Sequence, residues 1–295
     1  EGSGAAAKAV RQAGEVVIFL GAEGLDQEGS RALAQACGAL LAATGHAGKP
    51  NSGLVAVWPH ANDQGAWDLG LRPPKDIGQA LRDAKGAYLV ASDPLGDDPS
   101  IQAALDSLPF LVVQELYLTA TAERAQVVLP AQSFVEREGS LTTGEGRVQR
   151  FYPAVPPRGE TRTDWWIAAA LGQRLGASEA PASAADCMQQ IAAAVPAYDR
   201  ITYAALAEVH EQWPLVGGDD LYFGGTAYAN RQGLGVKRPT GLELGQQTDL
   251  AWPEPAPAAE GPGLLFVPVH RLYDRGTTVL PSMLLEPHRA RQQVE

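Results

Sequence analysis

The sequence predicts an α/β fold: a doubly wound, mainly parallel sheet, then a loop-rich helical region and a small β tail. Three observations carry this. Short apolar runs alternate with helix-length segments over residues 1–130. Those runs are continuously apolar, the form of strands buried on both faces of a parallel sheet. Strands separated by helices also call for crossover connections, which pack helices on the sheet.

"EVVIFLG" (15–21) is the first strand, β-branched and closed by Gly21. "GSRALAQACGALLAATG" (29–45) follows as an amphipathic helix with Leu33, Cys37, Leu40 and Leu41 on one face. "GLVAVWP" (53–59) is the second strand, "DIGQALRDAKG" (76–86) a short helix and "GAYLVASDP" (86–94) the third strand. "PSIQAALDSLP" (99–109) opens on proline as a helix can. "FLVVQELYLTATAERAQVVLP" (110–130) gives a fourth strand, a polar turn and a fifth strand. Past Pro130 the period fades, and residues 131–213 read as a loop excursion followed by helices. The first of these, "TRTDWWIAAALGQRLG" (161–176), has Thr163 or Asp164 to cap its start and Gly176 its end. "AADCMQQIAAAV" (184–195) and "ITYAALAEV" (201–209) are two more helices. Residues 214–262 form a linker region rich in Gly and Pro, and 263–295 a β-hairpin tail around "YDRGT".

Composition sets limits on function. The 295 residues suffice for one large or two ordinary domains, and 45% hydrophobic content gives a sizeable core. A net charge of −11, with no basic stripe, argues against nucleic acid as a partner. The longest apolar runs fall short of a membrane helix, so no direct membrane insertion is expected. Cys37 and Cys187 are the two cysteines, too few for an iron–sulfur cluster, and read as small buried side chains. The five histidines are scattered without metal-ligand spacing, so no metal site is expected. The start, "EGSGAAAKAV", leads straight to a strand without an initiator methionine, and a fragment of a longer polypeptide is the expectation.

Two places invite a ligand. Asp93, Asp97 and Asp98 cluster in "ASDPLGDDP" at a strand's carboxyl end, where they could grip a ribose or guanine edge or simply cap their own turn. "FVEREGSLTTGEGRVQR" (134–150) interleaves charges with glycines, including Glu138, Gly139, Thr143, Glu145, Gly146, Arg147 and Gln149. Glu136 and Glu138 could pair with Arg137, Arg147 or Arg150, bracing the loop as readily as binding a small molecule. No dinucleotide fingerprint follows the first strand, since Gly21, Gly24 and Gly29 lack its spacing. No nucleophile elbow is present either, and no catalytic residue is assigned.

Residues 118–176 resemble the molybdopterin oxidoreductase superfamily. The likeness lies in Thr119, Thr121, Ala122, Val127–Pro130, Glu138, Gly139, Glu145, Gly146, Arg147, Gln149, Pro156, Pro157, Gly159, Glu160 and Trp165. "NDQGAWDLGLRP" (62–73) and "RLYDRGTTVLPSMLL" (271–285) are similar to a narrower branch, the large iron–sulfur subunit of NADH-quinone oxidoreductase, respiratory complex I. That resemblance implies a scaffold part of the subunit, its iron–sulfur clusters lying in an N-terminal part and its partners being other peripheral-arm subunits. It also implies a cytoplasmic location, peripheral to the inner membrane. Departures from the catalytic pattern, Ala91 for Gly and Thr143 for Asn, imply a vestigial cradle with no cofactor bound by this chain. The alternatives are part of a catalytic molybdopterin-dinucleotide enzyme such as a formate dehydrogenase, with Asp93, Asp97, Asp98 and the 136–149 loop on the cofactor, or a free-standing α/β binding module.

Overall fold

A computed structural model describes residues 4–21, 27–72, 74, 76–208, 235–241 and 243–245. It divides into two compact units, Glu1–Gly70 with Ser140–Arg150 and Met188–Val269, and Leu71–Gly139 with Phe151–Cys187 and His270–Glu295. The expected β tail at 263–295 and most of the linker region lie outside the described residues.

The first unit opens with a helix the sequence reading missed, α1 (Ala5–Gln12). Strand β1 (Val17–Leu20), helix α2 (Gln27–Ala43) and strand β2 (Gly53–Ala56) follow. β1 and β2 pair in parallel, Val17 opposite Gly53 and Leu20 opposite Ala56. α2 packs on β2 and buries Ala39 and Leu41. Past its end, buried His46 contacts Thr44 Oγ1 at 2.8 Å and donates from Nε2 to the Ala13 carbonyl at 3.1 Å. That contact ties the end of α1 to the α2–β2 connection. The short helix α3 (Asp63–Asp68) comes next.

The second unit holds α4 (Ile77–Asp83), β3 (Ala87–Val90), α5 (Pro94–Asp97), α6 (Gln102–Asp106), β4 (Leu111–Glu115) and β5 (Val127–Pro130). The strands run in the order β3-β4-β5, all parallel. The predicted parallel strands are therefore present, but as two sheets instead of one. Alternation of strands and helices is a local signal, whereas the choice of pairing partner is long-range. Leu111 and Val113 of β4 meet Leu81, Ala104 and Leu105 from α4 and α6, so the helices cover one face. Across the pleat, Tyr88, Val90 and Val127 remain 42%, 43% and 38% exposed.

The stretch read as a loop excursion contains the strands β6 (Gly139–Thr142) and β7 (Arg147–Phe151), neighbours in one sheet with a tight turn between them. Helices α7 (Asp164–Arg174), α8 (Ala184–Ala194) and α9 (Tyr203–Ala207) fall where helices were expected. Thr163 takes the N-cap position of α7 without a side-chain cap bond, while Thr202 caps α9. A last strand, β8 (Val236–Lys237), pairs antiparallel with β7 and completes a sheet ordered β6-β7-β8. Val148, Met188, Tyr198, Ile201 and Leu206 form the core beside it. Cys37 and Cys187 carry no disulfide and are half-buried, less enclosed than the sequence suggested; burial pushes the Cys187 thiol pKa up.

Candidate functional site

Ligands of parallel sheets sit beyond the carboxyl ends of the strands. In the first unit, β2 runs out into Trp58, whose indole donates to Gln64 Oε1 at 3.0 Å. Trp67 lies against it, ring centroids 6.1 Å apart and planes tilted by 32°. Helix α3 also carries the polar residues Gln64 and Asp68. Gln64 and Asp68, four residues apart, share one face, and Gln64 Nε2 donates to Asp68 Oδ1 at 2.8 Å. Asn62 Oδ1 accepts from Thr142 N at 2.8 Å. Tyr198 donates its hydroxyl proton to Asp68 Oδ2 at 3.0 Å, which leaves the Thr142 hydroxyl to donate to Tyr198 at 2.8 Å. Arg238 closes the hub, with Nη2 at 3.2 Å and Nε at 2.7 Å from the two Asp68 oxygens. Burial, helped by the nearby Asp68 carboxylate and opposed by the Thr142 bond, raises the Tyr198 pKa to about 12.

The 134–150 loop meets this hub. A Cβ on Gly144 would overlap the carbonyl oxygen of Ala56, the last residue of β2, so only glycine lets the backbone come so near. Gly146 takes φ +81°, and a Cβ there would lie 3.4 Å from the Arg238 stem. Thr143 and Arg147 close the turn, Thr143 N donating to Arg147 O at 2.9 Å and Arg147 N to Thr143 Oγ1 at 3.2 Å. Arg147 pairs with Glu145 at 2.8 Å, and Arg150 stacks on the Tyr203 ring at 4.5 Å. The hairpin tip thus fills the place beyond β2 with the chain itself.

In the second unit, Asp93 Oδ1 accepts from Thr121 N at 2.9 Å, from Thr121 Oγ1 at 2.6 Å and from Gly96 N at 3.3 Å. Asp98 accepts from Ser100 N at 2.9 Å, and its bonds to Ser100 hold its carboxyl below the usual range. Asp97 is exposed. Asp93 and Asp98 each cap their own turn, as one of the two readings of this cluster has it. Ala91, where the family pattern has Gly, sits at φ +50° in the left-handed region. Glu136 accepts from Ser133 N at 2.9 Å, the main cause of its lowered pKa, and from Arg158 N at 3.0 Å. Arg137 pairs with Asp164, and burial lowers its pKa. Asp164 also accepts from Gln114 Nε2 at 2.5 Å, and Gln114 in turn from the Tyr88 hydroxyl. Glu138 and Gln149 are engaged within the chain as well. Gly139 gives room to the Phe151 ring, which an added Cβ would overlap.

The predicted residues divide between the units. Asp93, Asp97, Asp98, Glu138 and Gly139 belong to the second, and Thr143, Glu145, Gly146, Arg147 and Gln149 to the first. Neither unit by itself gathers them into a cradle. Asp93 and Asp98 are bonded to backbone N–H groups, and Gly139, Gly144 and Gly146 lie close to neighbouring atoms of the chain. Sequence reasoning missed the hub of Asn62, Gln64, Asp68, Thr142, Tyr198 and Arg238. The four-residue spacing of Gln64 and Asp68 was its one local sign; Tyr198 and Arg238 are too distant in sequence to be linked to it.

Residues 1–174 match the family model described as molybdopterin oxidoreductase. The chain is similar to the F420-dependent formate dehydrogenase 2 subunit alpha of Methanococcus maripaludis, 30% identical over 246 residues, 70% of this chain and 36% of that one. The F420-dependent formate dehydrogenase subunit alpha of Methanocaldococcus jannaschii is 31% identical over 210 residues, 59% of this chain and 31% of that one. The Bacillus subtilis oxidoreductase YjgC is 32% identical over 215 residues, 60% of this chain and 22% of that one. Each match therefore spans about a quarter to a third of the relative. Among solved structures, the acetylene hydratase from Pelobacter acetylenicus aligns with a TM-score of 0.36 and 19% identity, over 43% of this chain and 19% of that one, too partial a likeness to carry an argument.

Proposed function

Because the chain belongs to the molybdopterin oxidoreductase family, we propose that it serves as a framework portion of a larger oxidoreductase and does not itself grip the redox cofactor. One observation carries this reading. The groups that would face a ligand are already engaged by the chain, with Gly144 against Ala56 and Asp93 bonded to Thr121. The relatives favour a parent of the formate dehydrogenase kind. In that parent, residues elsewhere would hold the molybdopterin, which supplies the two-electron chemistry when bound. This chain's part is to fix the α/β units, and to keep water and ligand out of the β2 end with Trp58, Trp67 and the hairpin.

A second reading is a frame within the large iron–sulfur subunit of NADH-quinone oxidoreductase, docked to other peripheral-arm subunits on the cytoplasmic face. What supports it is the likeness of "NDQGAWDLGLRP" (62–73) and "RLYDRGTTVLPSMLL" (271–285) to that subunit. The "NDQGAWDLG" stretch that carries the narrower likeness builds the hub, through Asn62, Gln64 and Asp68. The test is metal and pterin analysis of the full-length parent, with formate oxidation assayed alongside. About one molybdenum or tungsten per chain, pterin and formate turnover are the results expected for the first parent. Iron without those metals, and NADH oxidation with a quinone acceptor, would replace it with the second.

A further inference from the structure

The hub also fastens something. Residues 235–241 lie beside the hairpin as a strap, and their attachment converges on Arg238. Its backbone N–H donates to the Gly146 carbonyl at 2.9 Å, while its side chain reaches Asp68. Lys237 and Val236 add the register opposite Arg147 and Val148. The fit is close at two glycines. Gly146 and Gly235 both have positive φ, of 81° and 83°. A Cβ on Gly235 would overlap the Val148 carbonyl oxygen. The ion pair is well shielded, its side chains 17% and 10% exposed, so salt screens it little. A second contact runs from the same carboxylate through Tyr198 to Thr142 on β6, and a third runs from Asn62 to the Thr142 N–H.

We infer that residues 235–241 are a strap laid along β7 by its ladder and by Val236 and fastened to α3 by the Asp68–Arg238 ion pair, and that this ion pair locks the β6–β7 hairpin over the carboxyl end of β2. The asymmetry of the contacts supports this. Asp68 keeps Gln64 and Tyr198 as donors when Arg238 leaves, so α3 stays assembled. The strap, by contrast, has one side chain among its described residues that reaches α3, that of Arg238. Opening it removes the third strand from the small sheet and exposes the hairpin edge.

The experiment is hydrogen–deuterium exchange on the full chain, comparing Arg238→Met with the unaltered protein. The methionine keeps much of the apolar stem and removes the charge. Amides of 141–150 and 236–238 should exchange at least tenfold faster, while those of β3, β4 and β5 are unchanged. Lys237→Ala, on the same strap but exposed, should leave all of these rates unchanged. Unchanged hairpin protection in Arg238→Met would overturn the strap. So would acceleration equal in the hairpin and in β3–β5, because that reports general loss of stability. Tryptic cleavage after Arg147 and Arg150 gives a second readout for a poorly yielding variant: it should quicken selectively, and cleavage no faster than in the unaltered chain would refute the lock.

Discussion

Tyr198 and Asp93 show how single residues were diverted from the surface to the frame. Tyr198 has a folded pKa of about 12 against a reference of 10.0. Its raised value stabilises the fold fully below pH 10, and that contribution is lost as pH climbs toward 12, where the folded hydroxyl also ionises. Urea unfolding at pH 8 and pH 11 should show a steeper decline for the unaltered chain than for Tyr198→Phe. Asp93→Ala removes the cap of α5 and strips an acceptor from the buried Thr121 hydroxyl, at about 2 kcal/mol. Thermal unfolding of the variant should report that loss, and a neutral result would return the carboxylate to the ligand-facing role. The acidic cluster itself was visible in the sequence. Which way Asp93 pointed was not, because Thr121, its partner, lies 28 residues away.

The strands and most helices of the parallel regions were legible, since apolar runs and helix periodicity are written locally. The β6–β7 hairpin was not. Its strands are short and largely half-buried, and their apolar partners come from α8, α9 and β8, distant in sequence. α3 escaped for a similar reason: at six residues it lacks a full amphipathic period, and its worth lies in side-chain hydrogen bonds. The glycine-rich character of 139–146 was plain; in the structure Gly139, Gly144 and Gly146 lie close to backbone and side chains of the chain. Gly144→Ala should therefore cost about 1–3 kcal/mol by overpacking against Ala56. Gly14→Ala, which meets nothing within 4 Å, should be near neutral. Denaturant midpoints of the two variants compare these directly, and equal midpoints would remove the hairpin from the end of β2.

Taken whole, the chain presents a family fold in which polar groups and glycines at two strand ends are engaged within the chain. Parallel strands end where ligands usually bind, yet the β2 end carries two tryptophans and a hairpin, and the β3 end a set of capped turns. Fold class and superfamily were both within reach of the sequence, because strand patterning and the 118–176 motifs are dense. Whether the motif residues still faced a ligand depended on contacts that no local pattern encodes. The most direct test takes the full-length parent with Asp93→Ala and Arg147→Ala together and measures molybdenum, tungsten and pterin per folded chain beside the unaltered protein. The framework account predicts the same content in both, whatever its value. A drop in the variant at equal folded yield would contradict it and return these two residues to the cofactor.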